Sequence, residues 1–274
     1  MKNNVKISFI GGGNMATALT GGLANKLTAS PNIHVVDINP ASLQGLQQQF
    51  GVSTANRIDS AIAASDVIVL SVKPQQMRSV AAELAPHLSS QLVLSIAAGI
   101  RTADLSRWLG GYPAIVRTMP NTPALIGKGM TGMFALNGVS HEQRGLADAI
   151  LQAVGATIWV DDENMLDTVT ALSGSGPAYV FYFIEAMQQA GQEMGLSAEQ
   201  ATKLALATFA GATELAVQSA DPVSVLRERV TSPGGTTFAA LTSMEQGGVK
   251  DAIVVAIKAA AARSRELGEQ FSQD

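Results

Sequence analysis

The chain has 274 residues, of which 47% are hydrophobic and 15% charged, and its net charge is −4. This is enough chain for one large or two smaller packed domains and too apolar for disorder; no basic patch points to nucleic acid, and no run reaches the roughly 18 apolar residues of a membrane helix. Cysteine is absent, which excludes disulfides, thiolate catalysis and Cys-zinc sites; with no secretory signal in MKNNVKISFIGGG, the expected location is cytoplasmic.

The first half alternates between two periods. VKISFIG (5–11) reads as a buried strand, followed by a helix from Asn14 to about Lys26. IHVVDI (33–38) is a second strand, and PASLQGLQQQF a helix with Pro40 in its first turn. DVIVLSV (66–72), QLVLSIA (91–97), AIVRTM (114–119) and ATIWV (156–160) are further apolar, β-branched runs, with helical segments between them. Strands that alternate with helices imply βαβ units and a mostly parallel sheet. Such a sheet is covered on both faces, so its strands are apolar throughout. From about Asp162 the spacing is helical, over 163–172, 177–195, 198–218, 222–230, 236–246 and 249–270. SGSGPAY (173–179) interrupts the first two as a hinge with a helix start at Pro177. The expected fold is a Rossmann-type α/β domain over 1–160 followed by an all-α domain over 161–274. The helical part is alanine-rich, as in DAIVVAIKAAAARSREL. So apolar a set of helices is expected to bury surface against a second copy, a homodimer or a larger homo-oligomer.

GGGNMA follows the first strand directly and opens a helix. It holds the G-x-G-x-x-G/A spacing in Gly11, Gly13 and Ala16. Gly11 permits the tight turn, Gly13 lets backbone approach a pyrophosphate, and Ala16 lets the helix pack close to the strand. The helix N-terminus then offers N–H groups and a positive dipole end to the phosphates. Asp37 ends the second strand, where an acid binds a ribose 2′-OH and favours NAD. Asn39 and the helix start after Pro40 would instead accept a 2′-phosphate, and no arginine stands in that loop. Residue chemistry therefore leaves NADH and NADPH both open. SVKP (71–74) and SIAAG (95–99) end later strands, where ligands of open α/β sheets sit. This makes Ser71, Lys73 and the segment Ala97, Ala98 and Gly99 cofactor candidates. Asn121 lies between two prolines, a rigid placement that suits a pocket residue or an ordinary turn.

A nicotinamide cofactor implies hydride transfer, and most such enzymes hold a proton donor beside the substrate. The three histidines, His34, His87 and His141, are dispersed and match no metal motif. The lysines of the helical half, Lys203, Lys250 and Lys258, have no marking partner. This scarcity favours a substrate that needs little help with protons, such as a cyclic imine. Its nitrogen protonates near neutrality and its carbon then accepts hydride. The protein need only hold the ring and its carboxylate. SPGGTT (232–237) can do that as a nest of N–H groups at a helix start, with Ser232 or Thr236 as the expected helix cap.

LRERVTSPGGTTFAALTSMEQ (226–246) resembles the signature of the pyrroline-5-carboxylate reductase family. FIGGGNMA, SVKPQ, SIAAGI, RTMPNTPA and LSGSGPAYVF occur in that family's order, so the resemblance spans essentially the whole chain. It implies reduction of 1-pyrroline-5-carboxylate to L-proline, the last step of proline synthesis, with NADPH generally preferred over NADH. It implies cofactor contacts at Gly11, Gly12, Gly13, Asn14, Met15 and Ala16, at Asn39 and Asn56, and at Ser71, Val72, Lys73 and Pro74. It implies a substrate loop of Ser232, Gly234, Gly235, Thr236 and Thr237, with the Thr237 hydroxyl beside the imine nitrogen as proton donor. It also implies helical domains that interlock into a dimer and resemble the C-terminal domain of 6-phosphogluconate dehydrogenase. Two rivals remain: a related dehydrogenase with a catalytic lysine, for which Lys203 is the candidate, and a non-catalytic dinucleotide sensor.

Overall fold

In the computed structural model, which describes residues 4–24 and 26–273, the apolar runs form one sheet in the order β3-β2-β1-β4-β5-β6-β7-β8. The strands are β1 (Ile7–Ile10), β2 (Ile33–Val36), β3 (Ser53–Ala55), β4 (Val67–Leu70), β5 (Leu92–Ser95), β6 (Ile115–Met119), β7 (Gly129–Ala135) and β8 (Gly155–Trp159). The helices are α1 (Asn14–Leu23), α2 (Pro40–Phe50), α3 (Ser60–Ala63), α4 (Met77–Leu84), α5 (Thr102–Trp108), α6 (His141–Gln152), α7 (Met165–Val169), α8 (Gly176–Glu193), α9 (Ala198–Gln218), α10 (Val223–Arg229), α11 (Thr236–Gln246) and α12 (Val249–Gln273). β3 to β6 follow the order 3-2-1-4-5-6 of a doubly wound dinucleotide fold, all parallel. β7 then pairs antiparallel with β6, and β8 parallel with β7.

Alternation along each strand assigns the two faces of the sheet. Ile7, Phe9, Ile33, Val35, Val67, Val69, Leu92 and Leu94 meet Ala16 and Leu19 of α1 and Ala147 and Ile150 of α6. Ile10, Val36, Ile68, Leu70 and Val93 meet Met77, Ala81 and Leu84 of α4 and Leu105 of α5 on the other face. Each fully buried large side chain here contributes about 1.5–3 kcal/mol over leaving it in water. Tyr112, beyond α5, donates its hydroxyl to the Gln91 carbonyl at 2.5 Å, and burial raises its pKa.

Two strands and one helix boundary differ from expectation. β3 and β7 lie in segments with no strand signal. β7 reads GMTGMFA, and its two glycines weaken the pattern. Gly132 is required there by packing: a Cβ at this position would come within 2.6 Å of the Val169 Cγ1 on α7. The first helix ends at Leu23, with Ala24 as its C-cap; the expectation that it reaches Lys26 crosses Asn25, which lies outside the described residues. SGSGPAY separates two helices as expected, with the second starting one residue before Pro177. A π-helical turn over Thr170–Gly174 follows α7, and α8 begins at Gly176.

The chain divides into two compact units, residues 1–175 with 260–274, and residues 176–259. The end of α12 therefore packs in the first unit, where Ser264 Oγ donates to Asp167 at 2.6 Å. The second unit is helical and buries little within itself. α10 and α11 have no buried residue, and in α9 only Ala201 and Ala205 are buried. Phe181, Tyr182, Leu204, Leu206, Leu215 and Val217 are exposed.

Candidate active site

The glycine turn sits where β1 and β4 diverge, the switch point of the sheet. Gly11 has φ 103°, a left-handed backbone, and a Cβ there would meet the Ser71 carbonyl oxygen at 2.6 Å. Only glycine fits this crossing. Gly13 is the N-cap of α1, with no side-chain cap, and a Cβ on it would meet nothing within 4 Å. The first-turn N–H groups of Asn14, Met15 and Ala16 are thus open to an anion, with the helix dipole behind them. Ala16 is fully buried against the sheet. These residues fit a dinucleotide pyrophosphate.

The neighbouring loops brace this turn. Asp37 accepts the Gly12 N–H at 2.5 Å and the Asn39 N–H at 2.8 Å. Its carboxylate therefore shapes the loop, which its position alone does not show. Asn39 caps α2 by accepting from the Ala41 N–H at 3.1 Å, and Ser42 donates to the Gly12 carbonyl at 2.6 Å. Ser71 donates to the Gly11 carbonyl at 2.7 Å and lies 3.0 Å from that of Ile10. Its hydroxyl thus ties β4 to the glycine turn. Lys73 is exposed at the start of a short 3-10 turn that begins with Pro74.

Beside the turn, a cavity of about 270 Å³ is lined by residues that include Gly11, Asp37, Asn56, Arg57 and Val72. Arg57 was not singled out from the sequence. Its signal is a lone arginine after β3, a strand too short and too polar to recognise. The SIAAG segment divides: Ala97 is buried, Ala98 exposed, and Gly99 takes φ 79° with a would-be Cβ 3.0 Å from Phe271 of α12.

Asn121 is held within the first unit. Its Nδ2 donates to the Ser173 carbonyl and hydroxyl, each at 3.2 Å, and its Oδ1 accepts the Met130 N–H at 2.9 Å. The amide locks the β6–β7 connection to the π-helical turn. Gly174 allows the close fit, since a Cβ there would meet Met119 Cε at 2.6 Å.

In the second unit, the SPGG turn leads into α11. Gly234 has φ 72°, and the Gly235 N–H donates to the Ser232 carbonyl at 3.0 Å. The expected hydroxyl cap is not what forms. Gly235 is the N-cap and no side chain caps α11, while Thr236 is already its first helical residue. The physical reason is the tight turn: a Cβ at Gly235 would lie 2.5 Å from Ser232 Oγ, so a residue larger than glycine at the cap would force the serine side chain to turn away. The result favours anion binding, because the first-turn N–H groups have no internal acceptor. Thr237, half-buried, lies in that turn.

Known proteins resemble this chain over nearly its whole length. Residues 163–267 match the family model described as pyrroline-5-carboxylate reductase dimerisation, and residues 6–99 match one described as NADP oxidoreductase, coenzyme F420-dependent. A pyrroline-5-carboxylate reductase of Pseudomonas aeruginosa is 45% identical over 98% of this chain and 98% of its own. A solved pyrroline-5-carboxylate reductase of Coxiella burnetii superposes with a TM-score of 0.91 at 41% identity, over 97% of this chain and 99% of that one. A Plasmodium falciparum pyrroline carboxylate reductase solved with NADP bound superposes with a TM-score of 0.88 at 32% identity, over 98% of this chain and 100% of that one.

Proposed function

We infer what the chain does from what it is: it belongs to the pyrroline-5-carboxylate reductase family, and it reduces 1-pyrroline-5-carboxylate to L-proline with NAD(P)H. The match to a dimerisation domain makes it a homo-oligomer. Among the described residues, no helix is long and apolar enough to cross a membrane.

The residue roles are our proposal. Gly11 to Ala16 hold the pyrophosphate through backbone N–H groups at the start of α1, and Asn56 and Val72 line the adjoining cavity. Asn39, Ser71, Lys73, Pro74 and the Ala97–Gly99 segment support the same site at the carboxyl ends of the strands. When bound, the reduced nicotinamide supplies a hydride to the imine carbon. The first-turn N–H groups of α11 grip the substrate carboxylate, with Ser232, Gly234, Gly235 and Thr236 shaping the approach. The Thr237 hydroxyl hydrogen-bonds the ring nitrogen and keeps the nitrogen's proton in place while the carbon–nitrogen double bond becomes single. Asn121 acts by positioning the turn before α8. The functional division we propose follows the sequence, with cofactor binding in 1–160 and substrate binding and dimerisation in 161–274. We further propose a cytoplasmic enzyme whose dimers build larger assemblies.

The observation that carries the substrate assignment is the uncapped start of α11 behind a glycine turn, with a threonine hydroxyl beside it. Adding 1-pyrroline-5-carboxylate to the protein with NADPH, and separately with NADH, should give loss of absorbance at the nicotinamide band and stoichiometric proline. No turnover with either cofactor would overturn the assignment and favour the dinucleotide sensor.

A further inference from the structure

The last turns of α12 carry a face that neither the glycine turn nor the start of α11 uses. Ser264, Leu267, Gly268, Phe271 and Ser272 fall at helical spacing on one side of the helix, and each is buried or half-buried within the first unit. Ser264 faces Asp167, next to α7, and the remaining four lie against the segment that joins β5 to α5. A Cβ at Gly99 would meet the Phe271 ring at 3.0 Å and Leu267 at 3.6 Å. A Cβ at Gly268 would lie 3.5 Å from the Gly99 carbonyl oxygen and 3.3 Å from Arg101 Nε. Glycine inside a helix weakens it, and here it lets the helix approach the loop. Ser272 Oγ donates to Asp104, buried on α5, at 2.5 Å, and Asp104 pairs with Arg107 at 2.8 Å.

The loop beneath this helix end is Ala97–Gly99, at the carboxyl end of β5 and beside β4, where ligands of such sheets sit. Ala98 is exposed there, and Gly99 holds the left-handed φ of 79°. Among the described residues, neither Ala98 nor Gly99 makes a backbone hydrogen bond. The loop therefore keeps its shape by packing, with the Phe271 ring seated on the Gly99 backbone. A loop held in this way samples other shapes once its packing partner is removed, and ligand affinity then falls with the fraction that remains competent. We propose that Phe271 is a positioning residue for the reductase: it holds the Ala97–Gly99 loop in the shape that receives the nicotinamide cofactor, and Ser272 anchors the helix end through Asp104. This rests on the reading that the loop meets the cofactor.

The test is titration of NADPH into the full-length protein, wild type, Phe271→Ala, Phe271→Leu, Ser272→Ala and Ala98→Phe, paired with steady-state kinetics on 1-pyrroline-5-carboxylate. Phe271→Ala should raise the Kd and KM for NADPH by roughly tenfold, which corresponds to a loop that is competent about one-tenth of the time. Its kcat at saturating NADPH should stay within about twofold, because bound cofactor selects the competent loop. Phe271→Leu should recover most of the affinity, and Ser272→Ala should lose roughly two- to fivefold, the range of one hydrogen bond. A Phe271→Ala protein with an unchanged Kd, or with a lower kcat at unchanged Kd, overturns the inference and leaves Phe271 a packing residue. If Phe271→Ala does not fold, Ser272→Ala decides, and an unchanged Kd there overturns it. Ala98→Phe puts bulk on the exposed side of the loop and should abolish NADPH binding; normal binding by that variant defeats instead the reading that the loop meets the cofactor.

Discussion

Thr237 occupies the second position of a helix whose first turn has no side-chain cap. On the proposed reading, its hydroxyl works beside the N–H groups that hold the substrate carboxylate. Thr237→Ala should lower kcat by roughly tenfold or more while leaving the Kd for NADPH within about twofold, and Thr237→Ser should restore most of the rate. Steady-state kinetics paired with NADPH titration would read both; unchanged turnover in the alanine variant would remove Thr237 from the mechanism. Lys203, exposed on α9, is the control. Lys203→Ala should leave turnover near wild type, whereas a large loss with intact folding would favour the lysine-dependent rival. At this scale the residue types were legible and their partners were not. Glycines and threonines before a helix announce a tight turn and an anion site. That Gly235 is the cap rests on Ser232 three residues away, but that Asp37 serves the glycine loop and that Ser71 ties down β4 depend on atoms up to 61 residues away.

Among the elements, β6 and the start of α5 are both tied to Glu163, in the segment before α7, by an ion pair and hydrogen bonds that neither strand nor helix pattern announces. Arg117, 5% exposed on β6, meets Glu163 at 2.9 Å; the same carboxylate accepts the Thr102 N–H at 2.8 Å and hydroxyl at 2.7 Å. Glu163 therefore satisfies a buried cation and the start of α5 together. Glu163→Ala should cost about 3–5 kcal/mol, because it leaves the Arg117 charge buried and unpaired. Urea unfolding would show it as a lower midpoint, and a shift under about 1 kcal/mol would mean that water enters and solvates the arginine. The apolar strands β1, β2, β4, β5 and β6 were legible because burial on both faces makes them apolar throughout. β7 was not, because its glycines answer to the approach of α7 rather than to strand propensity. The antiparallel β6–β7 pairing likewise follows from the turn between them, which Asn121 locks.

Across the whole molecule, the second unit is a set of helices without a core of its own size. Large side chains such as Phe181, Tyr182 and Leu206 stand exposed, and α11 buries none of its residues. A self-contained helical core is therefore not what these residues form; a homo-oligomer supplies the missing cover. Stability should follow mass action. Tm should rise with protein concentration, and sedimentation should show self-association. A monomer at every concentration with a constant Tm would contradict this.

By itself the sequence determined the alternation of strands and helices, the glycine turn after β1, and the turn that starts α11. These are local: a backbone dihedral, a period or a missing Cβ is written within a few neighbouring residues. Only the tertiary structure decided that β7 enters the sheet antiparallel to β6, that the end of α12 packs in the first unit, and that Arg57 reaches the cavity lining beside Asp37. Each of these is a choice of partner between segments distant along the chain. Such choices are settled by which surfaces bury each other, and no short window of sequence contains both.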